Sequence, residues 1–203
     1  GAIIDPELML SVPSRVTAAT GFDAFTHAFE SYLGQRTSPL TEYLSLETIR
    51  LVVEYLPKAI QKPDSIEYRT KLAWADTAAG ICLSNGGADL PHPLGEIIGG
   101  ICQRIAHGET LAIVYPAFLE YKEKIAAEKF RNIASYLGIE KTPKALTNEV
   151  IGLLKTTDLI RSKSRAAITL NEQEEILSHP LLKKLDPKNS EKILSIMSQS
   201  IEE

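Results

Sequence analysis

The chain has 203 residues and a formal net charge of −4, with 44% hydrophobic and 24% charged residues. This composition provides enough apolar surface for a folded core and excludes an intrinsically disordered chain. The mildly acidic balance, without a cluster of lysine and arginine, argues against nucleic acid as a partner.

The sequence carries no signal for membrane insertion or secretion. No apolar run approaches the roughly 20 residues that a membrane-spanning helix needs, and no charged segment followed by an apolar one opens the chain. The two cysteines, Cys82 and Cys102, form no CxxC motif and lie in apolar stretches, which excludes a disulfide framework. We therefore expect a cytoplasmic protein with no membrane partner.

Helical spacing of apolar residues dominates the chain. A short helix or turn is predicted at residues 5–8, and a helical turn over residues 13–20. Trp74, which lies among alanines, is expected in the core. The further predicted helices cover residues 44–60, 66–84, 113–137 and 146–154, a short stretch behind the capping-box spacing Asn171-x-x-Glu174, and a last helix after Pro187 and Ser190.

Patterns typical of other architectures are missing. Strand-like alternation is almost absent, and the sequence contains neither an internal repeat nor a low-complexity linker. No GxGxxG or GxxxxGK[ST] motif occurs, so the chain encodes no phosphate-binding loop. The sequence predicts one all-α domain of about seven to ten helices over residues 1–203.

The most distinctive local motif places an aspartate and a histidine one helical turn apart. Asp23 and His27 share one helix face at i, i+4 spacing, so they can direct a carboxylate and an imidazole at one point, as paired metal ligands do. Two structural alternatives stay open here. Thr20-x-x-Asp23 also fits a capping box, and His27 also fits a hydrogen-bonded core histidine.

Two further histidines lie where the backbone can bend. His92 stands between two prolines after a glycine-rich break, and His107 precedes Gly108, 15 residues beyond His92. Together with Asp23 and His27 they form a set of one carboxylate and three imidazoles. Such a set suits Fe²⁺ or Zn²⁺ better than Ca²⁺ or Mg²⁺, which prefer oxygen ligands.

These three motifs, in this order, resemble the iron-containing (group III) alcohol dehydrogenases, specifically their helical C-terminal half. The family pattern Gly-x-Asp-Ala-x-x-His-Ala-x-Glu is matched at residues 21–30, the Leu-Pro-His stretch at 90–92, and His-Gly-x-x-Leu-Ala-x-x-x-Pro at 107–116. The resemblance covers most of the chain and is loose over residues 148–186. It implies a divalent cation, Fe²⁺ or Zn²⁺, with these ligands: Asp23, His27, His92 and His107.

The resemblance also implies a two-domain enzyme of which this chain is the C-terminal half. The implied fold is the type shared by iron alcohol dehydrogenases and dehydroquinate synthases. An N-terminal nucleotide-binding domain of the same polypeptide would hold NAD or NADP, and the cation would polarise the oxygen of a small alcohol or aldehyde for hydride transfer. The chain alone is then expected to be inactive and to form homo-oligomers through apolar surface that the other domain would cover.

The chain departs from the family pattern between its second and third motifs. Glu96 stands where many members carry a further histidine, so it is a candidate for proton relay or cofactor contact, beside the simpler interpretation as a solvated helix charge. An alternative register would move His92 to that position and leave Ala88, which cannot bind a metal, as the ligand. The gap to His107 is longer than usual, so residues 99–104 are predicted to loop out.

Two other interpretations stay open. One is a zinc enzyme of the same superfamily, similar to glycerol dehydrogenases or dehydroquinate synthases, and the other is a metal-free helical scaffold or interaction module. Four intact ligand positions favour the iron-type enzyme. Glu30, one helical turn beyond Thr26, is a candidate for supporting a ligand from behind, and His179 is expected at the surface.

Overall fold

The computed structural model describes residues 1–160, 168–185 and 190–202, and none of these residues lies in a β-strand. The all-α prediction is therefore confirmed. A 3₁₀ turn, Pro6–Met9, precedes the α-helices, which are α1 (Ser14–Leu33), α2 (Pro39–Gln61), α3 (Ile66–Gly86), α4 (Pro91–Ile101), α5 (His107–Ile125), α6 (Ala127–Tyr136), α7 (Pro143–Thr156), α8 (Leu170–Ser178), α9 (Leu182–Leu185) and α10 (Ser190–Glu202).

Helix α1 lies at the centre of the fold and packs against α2, α3 and α5. Its buried face carries Phe22, Phe25 and Phe29, and these rings contact one another and Tyr115 of α5 with centroids 5.1 to 6.1 Å apart. All four side chains are fully buried, and each contributes about 1.5–3 kcal/mol through the hydrophobic effect. This face fixes the rotation of α1 and leaves its opposite side for polar residues.

Helix α1 is longer than the sequence predicts. The expected end near Thr20 is wrong, because the helix continues through Gly21 without a break. Asp23 therefore lies in mid-helix and cannot cap a helix start, which excludes the capping-box interpretation. Gly21 serves packing instead of a turn, since a Cβ atom there would overlap the side chain of Leu56 on α2.

Several predicted boundaries also need correction. The stretch 113–137 forms two helices, α5 and α6, which meet at Ala126. Residues 99–101 belong to α4, so only residues 102–106 form the loop before α5. The capping box of α8 is built by Thr169 and Glu172, two residues before the predicted pair. The predicted helix signal at Pro187 lies outside the described residues.

The prediction that Trp74 lies in the core is wrong. Its side chain is 48% exposed, whereas Ala75, Ala78 and Ala79 on the same helix are buried. The small residues of α3 face α1 and α2, and their size allows these helices to approach closely.

Lys129 of α6 closes the C-terminal end of α1. Its ammonium group donates to the carbonyl oxygens of Tyr32, Leu33 and Gly34 at 2.9, 3.3 and 2.8 Å. The last carbonyls of a helix have no partner inside the helix and form the negative pole of its dipole. One cation thus satisfies three acceptors and joins α6 to α1.

We expect Lys129→Met to lower the free energy of unfolding by about 1–3 kcal/mol, because partly buried carbonyls lose a charged donor. Urea denaturation followed by circular dichroism measures this change. Lys124→Met, at an exposed position near the end of α5, is the matched control. A loss below about 0.5 kcal/mol for Lys129→Met would mean that water replaces the ammonium group at little cost.

Candidate metal centre

Three helices bring the four sequence-predicted ligands around one oxygen atom, Oδ1 of Asp23. On α1, the Nε2 atom of His27 lies 3.5 Å from this oxygen. The Nε2 atoms of His92, in the first turn of α4, and of His107, the first residue of α5, lie 3.6 and 3.7 Å from it. Three imidazole nitrogens therefore converge on one carboxylate.

The donor atoms and their environment fit a divalent cation. Asp23, His92 and His107 each offer one ligand atom, and these atoms lie within 4.8 Å of one another. His27 contacts this group of three at Asp23, and its ring stacks on that of His92 with centroids 4.7 Å apart. Within the described residues, Asp23 Oδ1 and His92 Nε2 are buried without a hydrogen-bond partner. Such orphaned atoms are costly in a protein interior, and a cation between them would satisfy both.

For two of the four ligands, Asp23 and His27, the surroundings favour the protonation state that binds a metal. Burial raises the pKa of Asp23, but the histidines around it outweigh burial, and the net pKa lies below its ordinary value. Burial lowers the pKa of His27, which keeps this imidazole neutral. Metal ligands have to be ionised carboxylates and neutral imidazoles, so both shifts suit a cation site.

Glu30 supports His92 from behind. This buried carboxylate accepts a hydrogen bond at 2.9 Å from Nδ1 of His92 and another at 2.7 Å from the backbone N–H of Asp89. An ionised carboxylate only accepts, so Nδ1 carries a proton, and Nε2 is the ring nitrogen of His92 that faces Asp23. Burial raises the pKa of Glu30 to about 7, against the effect of its bond with His92.

His92 itself is held between two acids. Burial acts to lower its pKa, but Asp23 and Glu30 outweigh burial and raise the pKa to about 9. Without a cation, this imidazole therefore keeps a proton that neutralises its acidic neighbours. A divalent cation would take over that role and displace the proton from Nε2.

The loop before α4 is anchored to α5. Lys122 of α5 forms an ion pair with Asp89 at 2.6 Å, and both side chains are largely buried. The other carboxylate oxygen of Asp89 accepts from the backbone N–H of Leu90 at 2.8 Å. Together with the bond from Asp89 to Glu30, these contacts fix the chain two to three residues ahead of His92.

The first turn of α5 is fixed against α1. Arg15 of α1 makes two hydrogen bonds of 2.7 and 2.8 Å to Glu109, and Glu109 accepts from the backbone N–H of Ala106 at 3.0 Å. Gly108 allows the closest approach, since a Cβ atom there would overlap the carbonyl oxygen of Ala19. These contacts hold His107 next to Asp23.

The remaining candidates lie outside this cluster. Glu96 is exposed on α4, one turn beyond His92, and makes no hydrogen bond or ion pair with the part of the chain that the structure describes. Its role stays a prediction. His179 directly follows α8 and is half-buried, slightly more than expected for a surface residue. Sequence reasoning missed Lys122, because it belongs to no motif.

We expect Glu30→Gln to weaken Zn²⁺ binding by about 10- to 100-fold, because the neutral amide no longer holds the His92 imidazole in one orientation by charge. Competition with a chromophoric chelator measures the affinity. Glu96→Gln, the same change on the exposed side of α4, should leave it unchanged. Equal Zn²⁺ affinities of the two variants would show that Glu30 does not support the metal site.

Among the helices that the structure describes, none combines the length and the apolar composition needed to cross a membrane. This finding agrees with the absence of an apolar run in the sequence.

Comparison with known proteins shows that this chain is similar to alcohol dehydrogenases. Residues 17–199 match the sequence profile described as Fe-containing alcohol dehydrogenase family, C-terminal. An NAD-dependent methanol dehydrogenase from Bacillus methanolicus is 36% identical over 137 residues, which cover 68% of this chain and 36% of that protein. Long-chain-alcohol dehydrogenase 1 from Geobacillus thermodenitrificans is 38% identical over 137 residues, covering 68% of this chain and 34% of that protein.

The same class emerges from solved structures. The crystal structure of an archaeal halo-thermophilic alcohol dehydrogenase from a Red Sea brine pool superposes with a TM-score of 0.83 at 25% identity, over 97% of this chain and 53% of that chain. Fold and profile thus both relate the chain to the C-terminal part of Fe-containing alcohol dehydrogenases. The chain belongs to the Fe-containing alcohol dehydrogenase family and matches its C-terminal part. The matched segment spans about a third of the length of the curated relatives named above.

Proposed function

We propose that residues 1–203 form the metal-binding domain of an NAD(P)-dependent dehydrogenase that acts on alcohols or aldehydes. Asp23, His27, His92 and His107 would hold one Fe²⁺ or Zn²⁺ ion. The observation that supports this most is the approach of three Nε2 atoms to within 3.7 Å of Asp23 Oδ1. A core hydrogen-bond network would not leave buried polar atoms unpaired at its centre.

The chain's own residues would prepare this site for its chemistry. A bound cation would supply Lewis-acid polarisation of an alcohol or aldehyde oxygen. Asp23, kept ionised by its histidine neighbours, provides the negative charge that attracts the ion. Glu30 fixes the ring of His92, and the contact at Gly108 fixes His107. Asp23 lines two cavities of about 400 and 260 Å³, which give a substrate access to it.

The nicotinamide cofactor would be bound by a second domain of the same polypeptide. The solved relative is about twice as long as this chain, and one curated relative is named for NAD. NADP is the alternative cofactor. The relatives are named for methanol and for long-chain alcohols. Their substrates are therefore all alcohols but differ in chain length. Glu96 is the candidate for proton transfer or cofactor contact, since it is exposed one turn beyond His92.

Metal uptake by the chain tests the first part of this proposal. The metal-free protein is dialysed against Fe²⁺ without oxygen, or against Zn²⁺, and the bound ion is counted by elemental analysis. We expect one ion per wild-type chain and little or none for His27→Ala. Equal and negligible uptake by both proteins would favour the metal-free scaffold.

Turnover tests the second part. We expect alcohol oxidation with NAD or NADP by the polypeptide that also carries a nucleotide-binding domain, and little or none by residues 1–203 alone. Strong activity of the 203-residue chain would contradict the assignment of the cofactor site to another domain.

A further inference from the structure

The larger of the two cavities beside Asp23 has a volume of about 400 Å³ and lies between α1, α3 and the first 3₁₀ turn. Three ionisable side chains reach it, namely Asp23, Arg69 and Asp76. The rest of its surface is mainly apolar. The side chains that form this apolar wall include Met9, Val12, Val16 and Leu72.

Arg69 is committed to the protein itself. Its guanidinium donates to the carbonyl oxygens of Pro63 and Val12, both at 3.0 Å, and to the hydroxyl of Thr17 at 2.7 Å. The residue is only 3% exposed. Two of its nitrogen atoms tie α3 to the start of α1, and the third binds the loop before α3. Among the described residues that line the cavity, none therefore offers a free cation to an anionic ligand.

Asp76 is the opposite case. This carboxylate is exposed at the cavity and forms no hydrogen bond or ion pair within the described ranges 1–160, 168–185 and 190–202. The cavity wall removes part of the water around Asp76, and this partial desolvation and the charge of Asp23 both raise its pKa. The two acids therefore lie close enough to affect each other. A ligand that covers Asp76 removes water from it. This desolvation is unfavourable unless the ligand donates a hydrogen bond in return.

We propose that this cavity is a substrate subsite in which Asp76 binds a hydrogen-bond-donating group. The preferred substrate is then an alcohol whose far end carries a protonated amine or, more weakly, a second hydroxyl. A methyl end leaves the carboxylate without a partner, and a carboxylate end adds repulsion. This inference rests on the proposed function, since it assumes that the reacting hydroxyl lies at Asp23 and the cation.

Binding of four ligands of similar length tests the order of preference. Saturation-transfer NMR at pH 7.5 gives the affinities of the chain for 4-amino-1-butanol, 1,4-butanediol, 1-pentanol and 4-hydroxybutanoate, with and without Zn²⁺. We expect affinity to fall in that order. Asp76→Asn should weaken the binding of the amino alcohol about fivefold and leave the affinity for 1-pentanol unchanged. Asp64→Asn, at an exposed position before α3, is the matched control.

Two results would overturn the subsite. One is an equal effect of Asp76→Asn on the amino alcohol and on 1-pentanol, and the other is the absence of saturation transfer to all four ligands. Zn²⁺ uptake measured on the same samples separates the two proposals. If Zn²⁺ uptake is normal but the ligand affinities do not depend on Asp76, the subsite alone is contradicted. If Zn²⁺ uptake fails, the metal centre is contradicted, and the order of ligand affinities measured without Zn²⁺ still decides the subsite.

Discussion

Asp23→Asn is expected to weaken the binding of Fe²⁺ or Zn²⁺ by more than about 100-fold. Residues that merely support a ligand change affinity by about 10- to 100-fold, and Asp23 would touch the ion directly. Its Oδ1 atom is the point on which His27, His92 and His107 converge at 3.5 to 3.7 Å. The substitution keeps the shape of the side chain and removes its charge. A competition titration with a chelator of known affinity measures the loss.

The same titration with Asp64→Asn controls for a general effect of removing one acidic charge. Circular dichroism of the metal-free variants checks that α1 and its neighbours remain folded. An Asp23→Asn protein that binds Zn²⁺ within about threefold of the wild-type affinity would exclude Asp23 as a ligand. The proposed centre would then lose its only carboxylate ligand.

Gly108→Ala is expected to damage stability and metal binding together. The added Cβ atom would overlap the carbonyl oxygen of Ala19, and backbone atoms cannot move aside as a flexible side chain can. The first turn of α5 has to move away from α1, and His107 moves with it. We expect a loss of about 1–3 kcal/mol in the free energy of unfolding, measured in urea, and a clear loss of Zn²⁺ affinity.

Gly80→Ala provides the matched control for this change. Gly80 lies in the middle of α3, and a Cβ atom there would meet nothing within 4 Å. This variant should be more stable than the wild type by up to about 1 kcal/mol, because alanine favours the helix. If Gly108→Ala retained both stability and metal affinity, the contact between α1 and α5 would not be what positions His107.

Helical spacing alone predicted much of the local arrangement around α1. Asp23 and His27 do share one face. Glu30 was predicted to support a ligand, but its contact with His92, which lies on another helix, was not part of that prediction. Spacing could not show that His92 and His107 reach the same face, because these residues lie on other helices. That step came from the resemblance to the family, which the sequence profile confirms.

Tertiary packing explains the predictions that failed. Gly21 looks like a helix end when read locally, but its role is to admit Leu56, a residue 35 positions away in the chain. Trp74 looks like a core residue by type, but the alanines beside it occupy the contact with α1 and α2. Asp76 and Asp23 are related only in that both line the same cavity, and no pattern in the sequence connects the two residues.

Anomalous diffraction from crystals of the chain grown with Fe²⁺ or Zn²⁺ tests the central claim most directly. We predict one peak at the absorption edge of the added metal, about 2.0–2.2 Å from a carboxylate oxygen of Asp23 and from the Nε2 atoms of His27, His92 and His107. Density without such a peak, or a metal bound elsewhere with Asp23 and His92 hydrogen-bonded to protein or water, would contradict the account.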